Sequence, residues 1–303
     1  MSASMADLPV TSKKVAVLGA DSFIGSHVLK VMVENGYDCF GTTRRAASVG
    51  QRMLHLDLLD DVSWTHVLKA RPDVAIAFFA VSKLEQCESD LVSREINAGR
   101  IPALLEKLAA SGCRVVFLST NSIFGGERQL CDEDAHVEPK IAYSRQKHEA
   151  EQRLLAMLGG SSHAVVRISR TISAELPPFD RWLLDLRAGR KVEAFDDFIF
   201  APMTTPHVAS GLLRIALSGH DGIFHLSGTD VSYLDLALEI SSQMGAGSEA
   251  VVRTNSAAKG VSLRFRPSYS ALGMRRTTEL LGIERQSVRE VASHLIASPH
   301  LFL

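Results

Sequence analysis

What this sequence lacks sets the first limits on it. No apolar run approaches the about 18 residues that a membrane-crossing helix needs. The opening Met-Ser-Ala-Ser-Met-Ala-Asp-Leu is polar, without the apolar stretch of a secretory leader. Neither a signal peptide nor a transmembrane helix is expected, and the cytoplasm is the expected location. Cysteine is sparse and carries no C-x-x-C spacing: Cys39, Cys87, Cys113 and Cys131 read as four free thiols in a reducing compartment, with no metal-finger pattern and no metal expected. Long basic runs are missing and the formal net charge is only -1, which argues against nucleic acid and against an anionic membrane surface as partners. There is no internal repeat and no low-complexity tract.

What is present is an ordinary globular composition. With 303 residues, 46% hydrophobic and 22% charged, the chain can bury a large core as one big domain or two coupled ones. Short apolar runs alternate with longer helical patterns through the first half, the signature of a parallel sheet wrapped by helices, hence an α/β doubly wound fold of the Rossmann type. Strands are expected at 14–19, 37–43, 53–56, 73–80, 114–119 and 164–168, and helices at 24–35, 100–111 and 142–158. After about Arg170 the alternation loosens, with Pro177, Pro178, Pro202 and Pro206 as breakers. The expected division is a first unit over 1–169 and a smaller α/β region over 170–303, of which about 195–215 return to the first sheet.

Strand one runs into Gly19-Ala-Asp-Ser22-Phe23-Ile24-Gly25, a turn opening a helix. Gly19 permits the tight turn and Gly25 permits close helix-to-strand packing, while the helix N-terminus offers N–H groups and partial positive charge to a pyrophosphate. Ser22 stands where a dinucleotide fingerprint has its middle glycine. It is small enough for close backbone approach, and its hydroxyl can bond a phosphate. A strand-helix turn with no ligand would carry the same glycines. Strand two is followed by Thr42-Thr43-Arg44-Arg45, with no acid in the stretch. In a dinucleotide fold an acid there binds the 2′-hydroxyl of NAD, whereas arginines suit the 2′-phosphate of NADP. Arg44 and Arg45 therefore favour NADP(H), with NAD(H) admissible, unless they are two solvated surface arginines. Asp57, after strand three, is placed to meet the adenine amino group, or equally to cap a helix.

Tyr143-Ser-Arg-Gln-Lys147 sets a phenol and an ammonium four residues apart, on one face of a helix. A cation beside a phenol favours the phenolate and moves its pKa from about 10 toward the working range, which makes an acid/base device. Taken alone the spacing is common.

Together these residues resemble the extended short-chain dehydrogenase/reductases, from strand one to nearly the C-terminus. In that family a Ser or Thr at the end of strand five, ahead of a short apolar-aromatic-Gly stretch, is the third catalytic member. Leu118-Ser119-Thr120-Asn121-Ser122-Ile123-Phe124-Gly125 aligns to give Thr120 that role beside Tyr143 and Lys147. Ala80-Val81-Ser82-Lys-Leu-Glu-Gln-Cys87-Glu88, Ile96-Asn97-Ala98, Arg266-Pro267, Ser270-Ala-Leu272 and Leu281-Gly282-Ile283 are similar to landmarks of the dTDP-4-dehydrorhamnose reductases and their relatives. The chain departs from them at Asn121-Ser122, where they carry Asp-Tyr. Sugar-nucleotide 4,6-dehydratases place an Asp-Glu pair after the Thr, and Asn121 and Ser122 cannot do that acid/base work.

The resemblance implies hydride transfer at a sugar carbon: Tyr143 as proton donor, Thr120 bonded to the same oxygen, and Lys147 on the nicotinamide ribose while depressing the Tyr143 pKa. It also implies cofactor contacts from Leu58, Ala80 and Val81, and substrate contacts from Ser82, Asn121 and Arg266. Arg181, Arg187 and Arg264 are further candidates for a substrate diphosphate, each equally a surface charge. His207 reads as a packed residue. The leading expectation is an NADPH-dependent reductase of a nucleotide-linked keto sugar, with a homodimer as a further expectation. Two alternatives stand beside it: a nucleotide-sugar epimerase of the same family, and a regulatory subunit that binds NADP without turnover, as the β subunit of methionine adenosyltransferase resembles these reductases.

Overall fold

Val15–Leu18 (β1) is apolar and buried at every position, because a strand covered by helices on both faces has no polar side to present. The computed structural model describes residues 11–157, 162–261 and 265–298. The opening segment 1–8, Leu158 and Arg264 lie outside the described residues. Cys39–Thr43 (β2), Met53–His55 (β3), Val74–Ala77 (β4), Arg114–Thr120 (β5) and His163–Ile168 (β6) join β1 in one sheet. Gly222–Leu226 adds a seventh strand, in the order Gly222–Leu226, β6, β5, β4, β1, β2, β3. Every pairing in it is parallel.

Successive residues of a strand point to opposite faces, and the two cores follow that period. Val15, Val17, Val74, Ile76, Val116 and Leu118 pack beneath helix Phe23–Glu34 (α1) and helix Thr205–Ser218. Ala16, Leu18, Ala75, Ala77, Val115 and Phe117 face helices Asp61–Ala70, Ile101–Ala110 and Ala142–Leu155. The chain reverses its winding between β1 and β4, so the crevice beyond their C-terminal ends is where such a sheet binds ligands.

Past β6 a separate core forms from Phe179, Trp182, Leu183, Val192, Leu236, Ile240, Val291 and Leu295. It is carried on helices Phe179–Arg187, Tyr233–Gln243 and Val288–Ala297 and on the parallel pair Val192–Phe195 with Val251–Thr254. Two short pairings hold this region over the C-terminal end of β6: Arg170–Ile172 with Pro202–Thr204, and Ile199–Phe200 with Val231–Ser232. Helix Thr205–Ser218 and strand Gly222–Leu226 belong instead to the first core and sheet.

A buried ion pair fixes the helix that carries Tyr143 and Lys147. Glu151 and Arg167 are 0% and 2% exposed and meet at 2.9 Å. Burial alone would raise the Glu151 carboxyl, but His148 and Arg167 outweigh it and hold it below the usual range. Arg167 also donates to the Glu133 carbonyl, and the Glu133 carboxylate accepts from Thr277 N–H and Oγ1, both at 3.0 Å. Removing one partner of such a pair strands a buried charge, at a cost of about 3–5 kcal/mol. All four cysteines are buried and free. Among the described residues no helix is long and apolar enough to cross a membrane.

Candidate active site

A cleft of about 610 Å³ opens at the C-terminal ends of β1, β4, β5 and β6. Ser22, Phe23 and Ile24 line one end of it, Phe78 to Ala80 and Ser82 its floor, and Thr120, Tyr143 and Lys147 its middle. Thr120, at the end of β5, thus meets the Tyr143 and Lys147 pair of helix Ala142–Leu155 in one cleft.

The first turn is built to bring backbone close. Gly19 has φ 78°, and a Cβ on Gly25 would lie 2.6 Å from the Gly19 carbonyl oxygen, so both positions need glycine. Ser22 is the N-cap of α1, its Oγ accepting the Gly25 N–H at 3.2 Å. The oxygen is therefore engaged in the cap, while the hydroxyl proton stays available to a phosphate. Gly19 and Gly25 shape the turn from behind, and Ser22, Phe23 and Ile24 face the cleft.

At the end of β2, Arg44 and Arg45 are both exposed. The absence of an acid there, read along the strand, is corrected by the fold. Asp21, from the first turn, accepts from Thr43 Oγ1 at 3.1 Å and stands 3.7 Å from Arg45 Nε. Asp57 lies outside the cleft lining, and its carboxylate accepts the Leu59 N–H at 3.0 Å, while Asp60 caps the following helix. Leu58 is buried in the core, so only its backbone could serve a ligand.

Val81 lies between two cleft-lining residues, Ala80 and Ser82, but is not in the lining itself, and its backbone is engaged elsewhere. Asn97, fully buried on the π-turn Glu95–Arg100, accepts the Val81 N–H at 2.9 Å and donates to the Val81 carbonyl at 2.8 Å. The same amide donates to Gln146 Oε1 at 2.8 Å, beside Lys147 in the chain. Asn97 thus clamps the strand-four loop to the helix that carries Tyr143 and Lys147, a role its sequence neighbourhood did not announce.

Thr120 closes β5 and caps the short turn Asn121–Phe124, accepting the Ser122 N–H at 3.2 Å. Its hydroxyl lies 3.0 Å from Ser122 Oγ, which lies 2.7 Å from Ser144 Oγ, so three hydroxyls run from Thr120 to the residue after Tyr143. Lys147 is 2% exposed, with its ammonium 3.8 Å from the centre of the Phe117 ring. Burial draws its pKa down to about 7, with Glu151 one turn along opposing the shift. Burial also pushes the half-buried Tyr143 phenol up to about 12. Burial thus works against the expected depression of Tyr143 by Lys147, whose ammonium rests on an aromatic face. It favours the protonated phenol, the form that can donate a proton.

The residues fit a dinucleotide: glycine-built turn, helix N-terminus, and a buried ammonium to which no acceptor is bonded among the described residues. A family model decides the assignment, since the RmlD substrate binding domain matches residues 13–300. The chain belongs to this family, within the extended short-chain dehydrogenase/reductases. Among its relatives, a probable dTDP-4,6-dihydroxy-2-methyloxan-3-one 4-ketoreductase of Streptomyces antibioticus is 26% identical over 94% of this chain and 96% of its own. A dTDP-4-dehydrorhamnose reductase of Sinorhizobium fredii is 26% identical over 75% of this chain and 80% of its own. The fold matches that of Bacillus anthracis dTDP-4-dehydrorhamnose reductase, solved with NADP, at a TM-score of 0.78 and 20% identity, over 96% of this chain and 100% of that one.

The structure gives several of the expected substrate contacts other partners. Arg266 donates from Nε to the Asp197 carbonyl and from an Nη to its carboxylate, both at 3.0 Å. Hydrogen bonds from Ser256 foremost, and Arg266 after them, hold the Asp197 carboxyl below its usual range. The pair ties together the segments that place Phe198 and Phe265 in the cleft wall, so Arg266 is a fastener. Its neighbour Pro267 packs on Gly126, where a Cβ would lie 2.4 Å from the proline ring. Asn121 does line the cleft, but its amide nitrogen is committed to the carbonyl and hydroxyl of Ser270, at 2.7 and 2.9 Å. Arg181 pairs with Asp185, and Arg187 bonds the Ile296 carbonyl. An arginine that does line the cleft is Arg170, which sequence reading passed over. It is exposed within the cleft lining, and no carboxylate pairs with it among the described residues. Its signal was present: an arginine just beyond a strand's C-terminal end, on the side where these sheets bind ligands.

Proposed function

We propose that this protein is an NADPH-dependent reductase of a nucleotide-linked keto sugar, with Tyr143 as proton donor. The observation that carries the reading is the charge and content of one cleft. Thr120, Tyr143 and Lys147 converge in it, and its only charged linings among the described residues are two cations, Lys147 and Arg170. A cleft without carboxylates suits an anionic substrate. Beyond Arg170 the wall is aromatic: Phe198, Phe200, Tyr233 and Phe265, with Phe200 and Tyr233 stacked at 4.3 Å. Such faces accept a nucleobase or the apolar side of a sugar ring.

In this reading the bound nicotinamide supplies a hydride to the carbonyl carbon. Tyr143 gives its phenolic proton to the carbonyl oxygen as charge develops there, and Thr120 donates a hydrogen bond to the same atom. Lys147 holds the nicotinamide ribose through its buried ammonium. Ser22, Phe23 and Ile24 hold the pyrophosphate, with Gly19 and Gly25 shaping the turn, and Arg44 and Arg45 take the 2′-phosphate. Ala80, Val81, Asp57 and Leu58 complete the cofactor contacts, and Ser82 and the side-chain oxygen of Asn121, which accepts a long 3.5 Å hydrogen bond from Thr120 Oγ1, face the sugar. Arg170 meets the substrate phosphate. The unit to residue 169 carries the cofactor and residues 170–303 carry the substrate wall. A cytoplasmic address and a homodimer complete the reading.

The test is to incubate purified protein with NADPH and a panel of nucleotide-linked 4-keto sugars, following loss of reduced-nicotinamide absorbance. Consumption with one sugar and not its epimers supports the reading. Sugar interconversion without net cofactor loss would identify an epimerase, and cofactor binding with neither outcome would identify a regulatory subunit.

A further inference from the structure

The end of β2, beside the turn that leads to the cleft-lining Ser22, carries both kinds of recognition group at once. Three contacts lock the first turn to the end of β2. Gly19 N–H donates to Thr42 Oγ1 at 2.9 Å, Ala20 N–H to the Thr42 carbonyl at 2.9 Å, and Thr43 Oγ1 to the Asp21 carboxylate at 3.1 Å. Thr43 Oγ1 in turn accepts the Arg45 N–H at 3.0 Å, so one hydroxyl sets the acid and the base side by side. The Asp21 side chain is 32% exposed and that of Arg45 is 73% exposed. Only one Asp21 oxygen is engaged in these contacts, which leaves the other for a ligand. An acid at the end of strand two accepts the ribose 2′-hydroxyl of NAD, and here the first turn delivers one to the same place.

We propose that Asp21 is the residue that sets cofactor choice, admitting NAD(H) at a ribose edge whose arginines favour NADP(H). With NAD(H), the free Asp21 oxygen accepts the 2′-hydroxyl and Arg45 stays against the carboxylate. With NADP(H), the 2′-phosphate draws Arg45 away and lies close to Asp21, so the carboxylate opposes the very group the arginines attract. Asp21→Asn keeps a hydrogen-bond acceptor for Thr43 and removes the charge. The inference rests on the dinucleotide reading of the cleft and is independent of which sugar is reduced.

The experiment measures dissociation constants of NADPH and NADH by titration of nicotinamide fluorescence, for the unaltered protein, Asp21→Asn and Arg45→Ala. The expected result is that Asp21→Asn tightens NADPH and weakens NADH, moving their ratio about tenfold or more toward NADPH. Arg45→Ala should move the ratio the opposite way. A ratio within twofold of the unaltered protein in Asp21→Asn, with an unchanged melting temperature, would overturn the role of Asp21. Failure of the unaltered protein to bind either cofactor would overturn this inference and the dinucleotide reading together. A protein that binds both with the expected ratios but reduces no sugar would support the inference while removing the reductase reading.

Discussion

The two walls of the cleft are held in place by different means. On the cofactor side three groups sit on, or are bonded to, the C-terminal end of a parallel strand: the turn after β1 on Thr42, Asp21 on Thr43, and Thr120 at the last residue of β5, while the Val81 backbone is bonded to Asn97 of the helical turn Glu95–Arg100. Sheet register and buried amides fix their spacing. On the substrate side Arg170, Phe198, Phe200, Tyr233 and Phe265 come from separate segments joined by two-residue and three-residue pairings, ring stacking and one half-exposed ion pair. The first wall is preorganised for a constant ligand. The second can change residue by residue without disturbing the sheet, which is how one fold comes to serve many substrates.

The largest expected effect breaks the cofactor wall's chemistry and leaves its binding intact. Tyr143→Phe should lower turnover by about 10²–10⁴, the range a positioned general acid contributes, with NADPH affinity nearly unchanged. Stopped-flow absorbance gives the first quantity and fluorescence titration the second. Turnover within tenfold of the unaltered enzyme would make Tyr143 a structural residue.

Lys147 sharpens the comparison because its burial sets function against stability. Its folded pKa is drawn to about 7 from an ordinary 10.5. Between those values the unfolded chain binds a proton that the folded chain does not, so this group makes stability rise with pH through that window. Below about 7 both states are protonated and the benefit is lost, a difference of up to about 5 kcal/mol from the shift alone. Lys147→Met should therefore abolish turnover yet raise stability near pH 6, with its advantage shrinking toward pH 10. Denaturant titrations of both proteins at the two pH values check the sign. An advantage that grew with pH would contradict it.

These two walls were not equally legible in the sequence. The ends of β1 to β6 lie within a few residues of the expected bounds, because each run is short and is bracketed by turn signals or helical stretches. Thr120, Tyr143 and Lys147 were legible because each lies at a fixed offset from such a strand or helix. Asp21 was not, since its partner Thr43 is 22 residues away and only the β1–β2 pairing brings them together. The partner of Arg266 was not legible, because a guanidinium in a motif says nothing of its partner: Asp197 is 69 residues distant. The aromatic wall was hidden for the same reason, with contributions from residue 198 to residue 265 and no shared periodicity.

Within the substrate wall, Arg170 and Arg266 separate contact from support. Arg170→Ala should weaken binding of a nucleoside diphosphate such as dTDP by about 10–150-fold, the value of a hydrogen-bonded charge worth roughly 1.5–3 kcal/mol. Cofactor affinity should hold, and added salt should shrink the difference. Equal losses for dTDP and NADPH would show a collapsed cleft instead.

Arg266→Ala is the smallest effect and the most discriminating. Its partner Asp197 keeps the Ser256 hydrogen bonds, so the wall loosens without losing its anchor. Affinity for dTDP should fall by less than about threefold and the melting temperature by about 2 °C at most, as for a half-exposed ion pair. Asp197→Asn should mimic that small loss, because the arginine acts through this carboxylate. Calorimetric titration of dTDP against both variants decides the matter. If Arg266→Ala matched Arg170→Ala while Asp197→Asn did nothing, the guanidinium would be reading the phosphate directly, and the wall would hold two ligands for it in place of one ligand and one fastener.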